Sequence, residues 1–271
     1  AELLCFCLPH AVGAGMVAQA ISLGRKVIDF SADYRLKSVE VYEQHYETHP
    51  APQLIEEAVY GLPELHRDGI RGTHLTAVPG CYPTGAILAL APVCAEGLVE
   101  PTSIVVDSKS GVSGAGRSNL TLTTHFAEAN ESVSAYKVAE HRHTPEMDQE
   151  LSLLGSRVRV TFTPHLVPIT RGILTTAYAD LRQDLSAAEL VELYRDFYEG
   201  EPFVHVLAEG KMPGTKHVSG SNNCHIGLAV DAANRRLIAV SAIDNLIKGL
   251  AGGAVQCMNL MCGFPEDTGL T

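Results

Sequence analysis

Cys81 stands in Val78-Pro79-Gly80-Cys81-Tyr82-Pro83-Thr84-Gly85, between a strand-like run at residues 73–78 and an Ala/Leu-rich helical run at residues 86–94. A thiol at a helix N-terminus feels the positive end of the helix dipole, which favours the thiolate. Pro83 suits a first helical turn, where its missing N–H is no loss. Gly80 lets the backbone turn sharply and leaves room for a substrate. A nucleophilic cysteine needs this placement: a loop edge facing backbone N–H donors that can hold an oxyanion. The alternative is a small buried hydrophobe, the commoner fate of cysteine. Of the other six cysteines, Cys5, Cys7, Cys257 and Cys262 lie in apolar runs and read as core. Cys94 ends the helical run after Cys81, and Cys224 begins a strand-like segment. No C-x-x-C pair and no metal-like Cys/His spacing occurs, so no metal is expected.

Glu140-His141-Arg142-His143-Thr144-Pro145-Glu146 is the second focus. Histidine has the pKa for proton transfer near neutrality. Arg142, a cationic histidine and helix N–H groups would all welcome an anion there. The plainer reading is a solvated loop, with Thr144 as helix cap and Pro145 at the first helical position. The Gly/Ser loop from Ser110 to Gly116 offers backbone N–H groups to a ligand, although most such loops are just turns. It is not the Gly-x-Gly-x-x-Gly dinucleotide fingerprint. Arg35 follows a parallel strand, at the end where ligands bind, and could hold a phosphate or carboxylate. A salt bridge to Asp29 or Asp33 is its structural alternative. Asp244 or Asn245 caps the last helix, and Asn245 could also reach a ligand amide.

Strand-like, helical and again strand-like runs at residues 3–8, 12–23 and 26–30 imply a parallel βαβ unit with a right-handed crossover. Continuous apolar strands of this kind suit a sheet covered on both faces. Residues 36–72 are mostly polar, with helix-like and loop stretches. The middle of the chain alternates strands at 103–107, 158–167 and 172–181 with helices at 144–155 and 186–200, the latter opened by the capping box Ser186-Ala187-Ala188-Glu189. Two prolines in Phe162-Thr163-Pro164-His165-Leu166-Val167-Pro168 point to an edge or an interface. Residues 224–231 and 236–243 form a hairpin, and 246–261 a final helix. The expected class is therefore α/β plus α+β. Residues 1–80 with 244–271 form a partial parallel-sheet domain, and 81–243 a mixed or antiparallel-sheet domain. That sheet is expected to face a second copy.

The 271 residues suffice for one large or two modest domains. A net charge of −11 with scattered Lys and Arg argues against nucleic acid or an anionic membrane as main partner. No apolar stretch reaches the length of a membrane span, and residues 1–8 lack a basic region and cleavage site. Seven cysteines without a disulfide pattern suit a reducing cytoplasm.

Together these residues resemble the N-acetyl-γ-glutamyl-phosphate reductase family, relatives of aspartate-semialdehyde dehydrogenase. The resemblance rests on Leu8-Pro9-His10, Asp33-Tyr34-Arg35, Pro79-Gly80-Cys81-Tyr82-Pro83-Thr84, the Ser110–Arg117 stretch, His141-Arg142-His143-Thr144-Pro145-Glu146, the run from Thr163 to Ile173 and Asp244-Asn245-Leu246-Ile247-Lys248-Gly249, in family order. It implies a Rossmann-type domain, NADP(H) as cofactor, and an acyl-phosphate substrate attacked by Cys81. In the family's terms His141 is the acid/base. Arg35, Ser110 and Arg142 contact substrate, and Ser113, Gly114 and Asn245 lie near the nicotinamide. A homodimer or homotetramer is expected. Two other readings remain open from the residues: an aspartate-semialdehyde-type dehydrogenase, and a cofactor-free cysteine hydrolase or non-catalytic fragment. A thiol–imidazole pair serves hydrolase chemistry equally well.

The family opens with a Gly-rich nucleotide loop that has no counterpart in this sequence. The strand at Leu3 corresponds to a later strand, so the sequence is expected to be an N-terminally shortened piece without the pyrophosphate cradle. The 271-residue chain alone is therefore expected to bind NADPH weakly or not at all. Titration of nicotinamide fluorescence checks this, and saturable tight binding would contradict it.

Overall fold

The computed structural model describes residues 1–116 and 125–270. Arg117, which closes the Gly/Ser stretch, lies outside the described residues. The chain divides into two compact units, one formed by Ala1–Gly80 with Leu250–Thr271 and the other by Cys81–Gly249.

In the first unit the elements run β1 (Leu3–Phe6), α1 (Ala14–Ser22), β2 (Lys26–Asp29), α2 (Val39–His45), β3 (Val59–Tyr60), α3 (Pro63–Gly72) and β4 (Leu75–Ala77). Every strand pairing is parallel, in the order β1-β2-β4-β3. β3 is only two residues long and hides in the polar stretch after residue 36, where no alternation marks it. Val27, Leu75 and Ala77 pack with Ala14, Val17 and Ala20 of α1 and with Tyr34, Leu54 and Ile55. Ile28 and Val78 pack with Ile70 of α3 and with Ala254, Cys257, Leu260 and Met261 near the C-terminus. The sheet is thus clothed on both faces, as its apolar strands require. β1 departs from expectation. It spans four residues, pairs on one side only, and leaves Cys5 and Cys7 exposed rather than in the core. Cys262 is exposed as well, and of those four only Cys257 is buried.

The second unit continues with α4 (Cys81–Ala95), β5 (Val105–Ser110), α5 (Phe126–Ala129), β6 (Ser134–Ala135), α6 (Thr144–Leu153), β7 (Thr161–Leu166), β8 (Ile173–Asp180), α7 (Ala187–Phe197), β9 (Val204–Val206), β10 (Cys224–Asp231) and β11 (Arg236–Ile243). The strands form one seven-stranded mixed sheet, β6-β7-β5-β8-β11-β10-β9. The β10–β11 hairpin has the expected bounds, with Arg235 in the left-handed region at φ 45°. Residues 173, 175, 177 and 179 of β8 are buried and their neighbours half-buried, a period of two that turns one face to the helices. β7 lies next to the edge of the sheet: two-residue β6 pairs only with His165 and Leu166, and the Pro164 carbonyl accepts from Tyr136 N at 3.2 Å. Edge strands β6 and β9 were illegible because three residues or fewer carry no period. Thr144 is not a cap. It is already helical, His143 occupies the cap position without a side-chain bond, and the Thr144 hydroxyl is buried. Ser186 and Glu189 do form the capping box.

The last helix, α8 (Gly252–Cys262), begins later than the sequence suggests. Residues Ile247–Ala251 form a π-helical turn before it, and Gly263 closes it at φ 75°.

Helix α4 is buried all round from Tyr82 to Cys94, and Pro92 sits inside it. Proline has no N–H for the carbonyl four residues earlier and its ring crowds that carbonyl. The orphan is Leu88, and Tyr198 Oη donates to its oxygen at 2.6 Å. Tyr194 Oη of α7 donates to the next carbonyl, Ala89, at 2.7 Å. Tyr198→Phe therefore leaves a buried carbonyl short of a donor, at a cost of about 1–3 kcal/mol. Urea unfolding checks this. Pro92→Ala restores the N–H, so the double variant is expected to lose less than Tyr198→Phe alone.

Candidate active site

Cys81 is the first residue of α4, reached from β4 through Val78-Pro79-Gly80. It is half-buried, while the rest of its turn is buried. The sheet below fixes that turn. Ser241 Oγ of β11 donates to the Gly85 carbonyl at 2.8 Å, and a Cβ on Gly85 would come within 3.1 Å of the same oxygen. Ser108 and Thr175, opposite each other on β5 and β8, share a hydroxyl bond of 2.8 Å on this face.

His141 is buried among rings. Its centroid lies 5.5 Å from Tyr82, 5.7 Å from Tyr136, 4.8 Å from His143 and 5.2 Å from Phe162, all edge-on. His143 N donates to His141 Nδ1 at 3.2 Å, so the neutral ring carries its proton on Nε2. Burial, then the charges of Lys137 and Arg142, hold the imidazole pKa down to about 4. His143 Nε2 lies 3.9 Å from the buried Glu146 carboxylate. The Tyr82 and Tyr136 hydroxyls bond to each other at 2.8 Å. Burial pushes both phenols up, and a charge on Cys81 pushes them further, which places both hydroxyls within electrostatic reach of the thiol. The Ser110 hydroxyl also bonds Tyr82. The structure thus groups Cys81, Ser110, His141 and Arg142 around two tyrosines, Tyr82 and Tyr136. Tyr82 was signalled only by standing next to Cys81, and Tyr136 by nothing.

The Gly/Ser loop corrects one expectation. Its N–H groups do not wait for a ligand: Gly111, Val112 and Ser113 donate to the carbonyls of Gly172, Ile169 and Thr170 at 3.0–3.1 Å. Gly111 is required, because a Cβ there would meet Ile169 O and Thr170 at 2.8 Å. What the loop offers is side-chain chemistry. Asn245 Oδ1 accepts from Gly172 N at 2.7 Å and its Nδ2 donates to Ser113 Oγ at 3.0 Å. A Cβ on Gly114 would lie 3.5 Å from both Asn245 Nδ2 and Ser110 Oγ. Ser110, Ser113, Gly114 and Asn245 therefore lie together in one polar cluster. Asn245 does not cap the last helical segment; Asp244 does, accepting from Leu246 N and Ile247 N at 2.8 and 3.0 Å.

Arg35 belongs to the first unit. It is 5% exposed, and its Nη2 donates to the Phe30 carbonyl at 2.9 Å. Burial raises the neighbouring Asp29 carboxyl to about 6, against the opposing bond from Ser31 and charge of Arg35. Asp33 is occupied by Ala11 N at 3.0 Å and Tyr42 Oη at 2.7 Å. Among the described residues, no group of three or more His, Cys, Asp or Glu is placed to hold a metal ion. No described helix is long and apolar enough to cross a membrane.

A family model described as semialdehyde dehydrogenase, NAD binding domain, matches residues 1–73. One described as semialdehyde dehydrogenase, dimerisation domain, matches residues 81–245. The N-acetyl-gamma-glutamyl-phosphate reductase of Pelotomaculum thermopropionicum is 55% identical over 97% of this chain and 76% of its own length. That of Moorella thermoacetica is 53% identical over 100% of this chain and 78% of its own. Among solved structures, aspartate semialdehyde dehydrogenase II from Vibrio cholerae superposes with a TM-score of 0.74 at 18% identity, over 97% of this chain and 80% of that one. The last likeness shows a shared fold. The first two, with identity above half across nearly every residue, show that the chain belongs to the N-acetyl-gamma-glutamyl-phosphate reductase family.

Proposed function

We propose that the protein reduces N-acetyl-γ-glutamyl phosphate to N-acetylglutamate γ-semialdehyde and phosphate, with NADPH as reductant, as a step of arginine biosynthesis in the cytoplasm. The observation that carries this reading is the placement of Cys81: a half-buried cysteine at the first position of a helix buried from Tyr82 to Cys94. Membership of the reductase family supports the substrate. The dimerisation-domain match supports a homodimer or homotetramer.

Cys81 sulfur attacks the acyl carbonyl, a C–S bond forms, and phosphate leaves with the electrons of the C–O bond. N–H groups at the start of α4 face the oxyanion of that step. His141 serves as the acid/base: its ring takes up the thiol proton as attack begins, once Nδ1 gives up the bond from His143 N, and returns a proton to sulfur when the aldehyde departs. The Tyr82–Tyr136 pair walls the imidazole and keeps bulk water from it. Arg142 and Ser110 contact the substrate; Arg35, in the family's pattern, serves its phosphate region. The cluster of Ser113, Gly114 and Asn245 fits a carboxamide, because the space over Gly114 is what a Cβ would fill and the Asn245 amide has a second N–H beyond the one given to Ser113. NADPH, when bound, supplies the hydride that takes the acyl group to the aldehyde level.

The test runs the reaction backwards. The protein at its full encoded length should reduce NADP⁺ with N-acetylglutamate semialdehyde only when phosphate is present, and Cys81→Ala should lose at least about 10³-fold of that rate. Equal rates in both proteins would mean that another group is the nucleophile. The pH dependence adds a second expectation. Because burial, Lys137 and Arg142 disfavour the imidazolium, the base stays neutral down to about pH 4. The acid limb of kcat/KM should therefore fall near that pH, and not near the ordinary value of about 6.5. A limb centred on the ordinary value would remove His141 from the role.

A further inference from the structure

Gly249 lies against the nucleophile. A Cβ on it would come within 2.9 Å of Cys81 Cβ and 3.2 Å of Cys81 Cα. Both atoms belong to the start of α4, whose turn is already fixed from the sheet side by Ser241. Any larger residue at 249 must push Cys81 aside or lift the turn that carries it.

That turn is the π-helical one, Ile247–Ala251, a wide and uncommon geometry that recurs at functional sites. Asp244 organises it from both ends. Its carboxylate is fully buried and accepts from Leu246 N at 2.8 Å, Ile247 N at 3.0 Å and Gly220 N at 2.7 Å. Its carbonyl accepts from Gly249 N at 3.0 Å, the five-residue step of a π-turn. The charge is balanced by Arg171, whose Nε lies 3.3 Å from Asp244 Oδ2. Adjacent Gly172, at φ 107°, donates to Asn245. A chain of contacts therefore runs from Arg171 through Asp244 and Gly249 to the Cα and Cβ of Cys81.

We propose that Gly249, seated by the Asp244–Arg171 pair, is a positioning residue that sets where the Cys81 thiol sits at the helix terminus. This rests on the reading of Cys81 as nucleophile. Displacement by a methyl group takes the sulfur away from the helix N–H groups that favour its thiolate and out of line with the acyl carbon.

The experiment is alkylation of Cys81 by iodoacetamide as a function of pH, with mass spectrometry of the Cys81 peptide to separate it from the other six cysteines. In Gly249→Ala the profile should move to higher pH and the neutral-pH rate should fall about tenfold. In the reductase assay kcat should fall by about 10²-fold with KM within about threefold. Gly15→Ala, where a Cβ meets nothing within 4 Å, should leave both unchanged. A folded Gly249→Ala protein with the wild-type alkylation profile and kcat would overturn the proposal. If Gly249→Ala does not fold, Arg171→Gln, at a half-exposed position, decides: a slower, shifted Cys81 alkylation supports the proposal and an unchanged one overturns it. Alkylation does not depend on the reaction, so failure of the nucleophile reading appears in Cys81→Ala kinetics and failure of the positioning role appears here.

Discussion

Helix α4 has no face for solvent. Its residues from Tyr82 to Cys94 are buried, and it packs against β8, β10 and β11 beneath it and against α6 and α7 beside it. A helix confined in this way cannot slide or roll without opening voids, and interiors packed to crystal density resist that. The start of such a helix is a fixed point. A reactive group placed there inherits the rigidity of the whole second unit while remaining open at its tip. The glycines around it follow from the same constraint: Gly85 and Gly249 are the places where backbone must approach that immobile turn too closely for a side chain.

Electrostatics in the second unit divides into two regimes. Around Asp244 a full charge is buried and made tolerable by three N–H donors and a guanidinium, so the carboxylate works as a structural clamp. Around His141 the opposite solution holds. The ring is surrounded by aromatic edges and by cations, and stays neutral. Neutrality suits a group that must accept a proton in the first half of a reaction and hand it back in the second. The two regimes meet in the loops at residues 111–116 and 169–172, whose backbones are laced together so that Ser113 and Asn245 are hydrogen-bonded neighbours.

Much of this was legible in the residues. The βαβ opening, the β10–β11 hairpin, the Ser186 capping box and the strand–turn–helix at Cys81 all rest on signals local in sequence: apolar runs, a turn, a cap, a glycine beside a proline. What escaped is non-local. Strands β3, β6 and β9 span two or three residues and exist only because a longer neighbour offers them a ladder. The exposure of Cys5 and Cys7 is likewise not encoded in an apolar run. Gly/Ser-loop N–H groups looked available because their acceptors lie some 60 residues on. Tyr136 joins the ring cluster from beyond a stretch with no helical or strand period.

The proline inside α4 has a consequence for how the protein is made. Tyr194 and Tyr198 reach their carbonyls across 105 and 110 residues of chain. On a ribosome adding about 5–20 residues per second, the segment that will become α4 waits about 5–20 s for the hydroxyls that complete it. Until then it is an apolar stretch whose Leu88 carbonyl has no helical N–H to receive. The second unit therefore cannot grow outward from its central helix as synthesis proceeds. The burial of α4 is complete only when α7, β10 and β11, which all pack on it, have been synthesised.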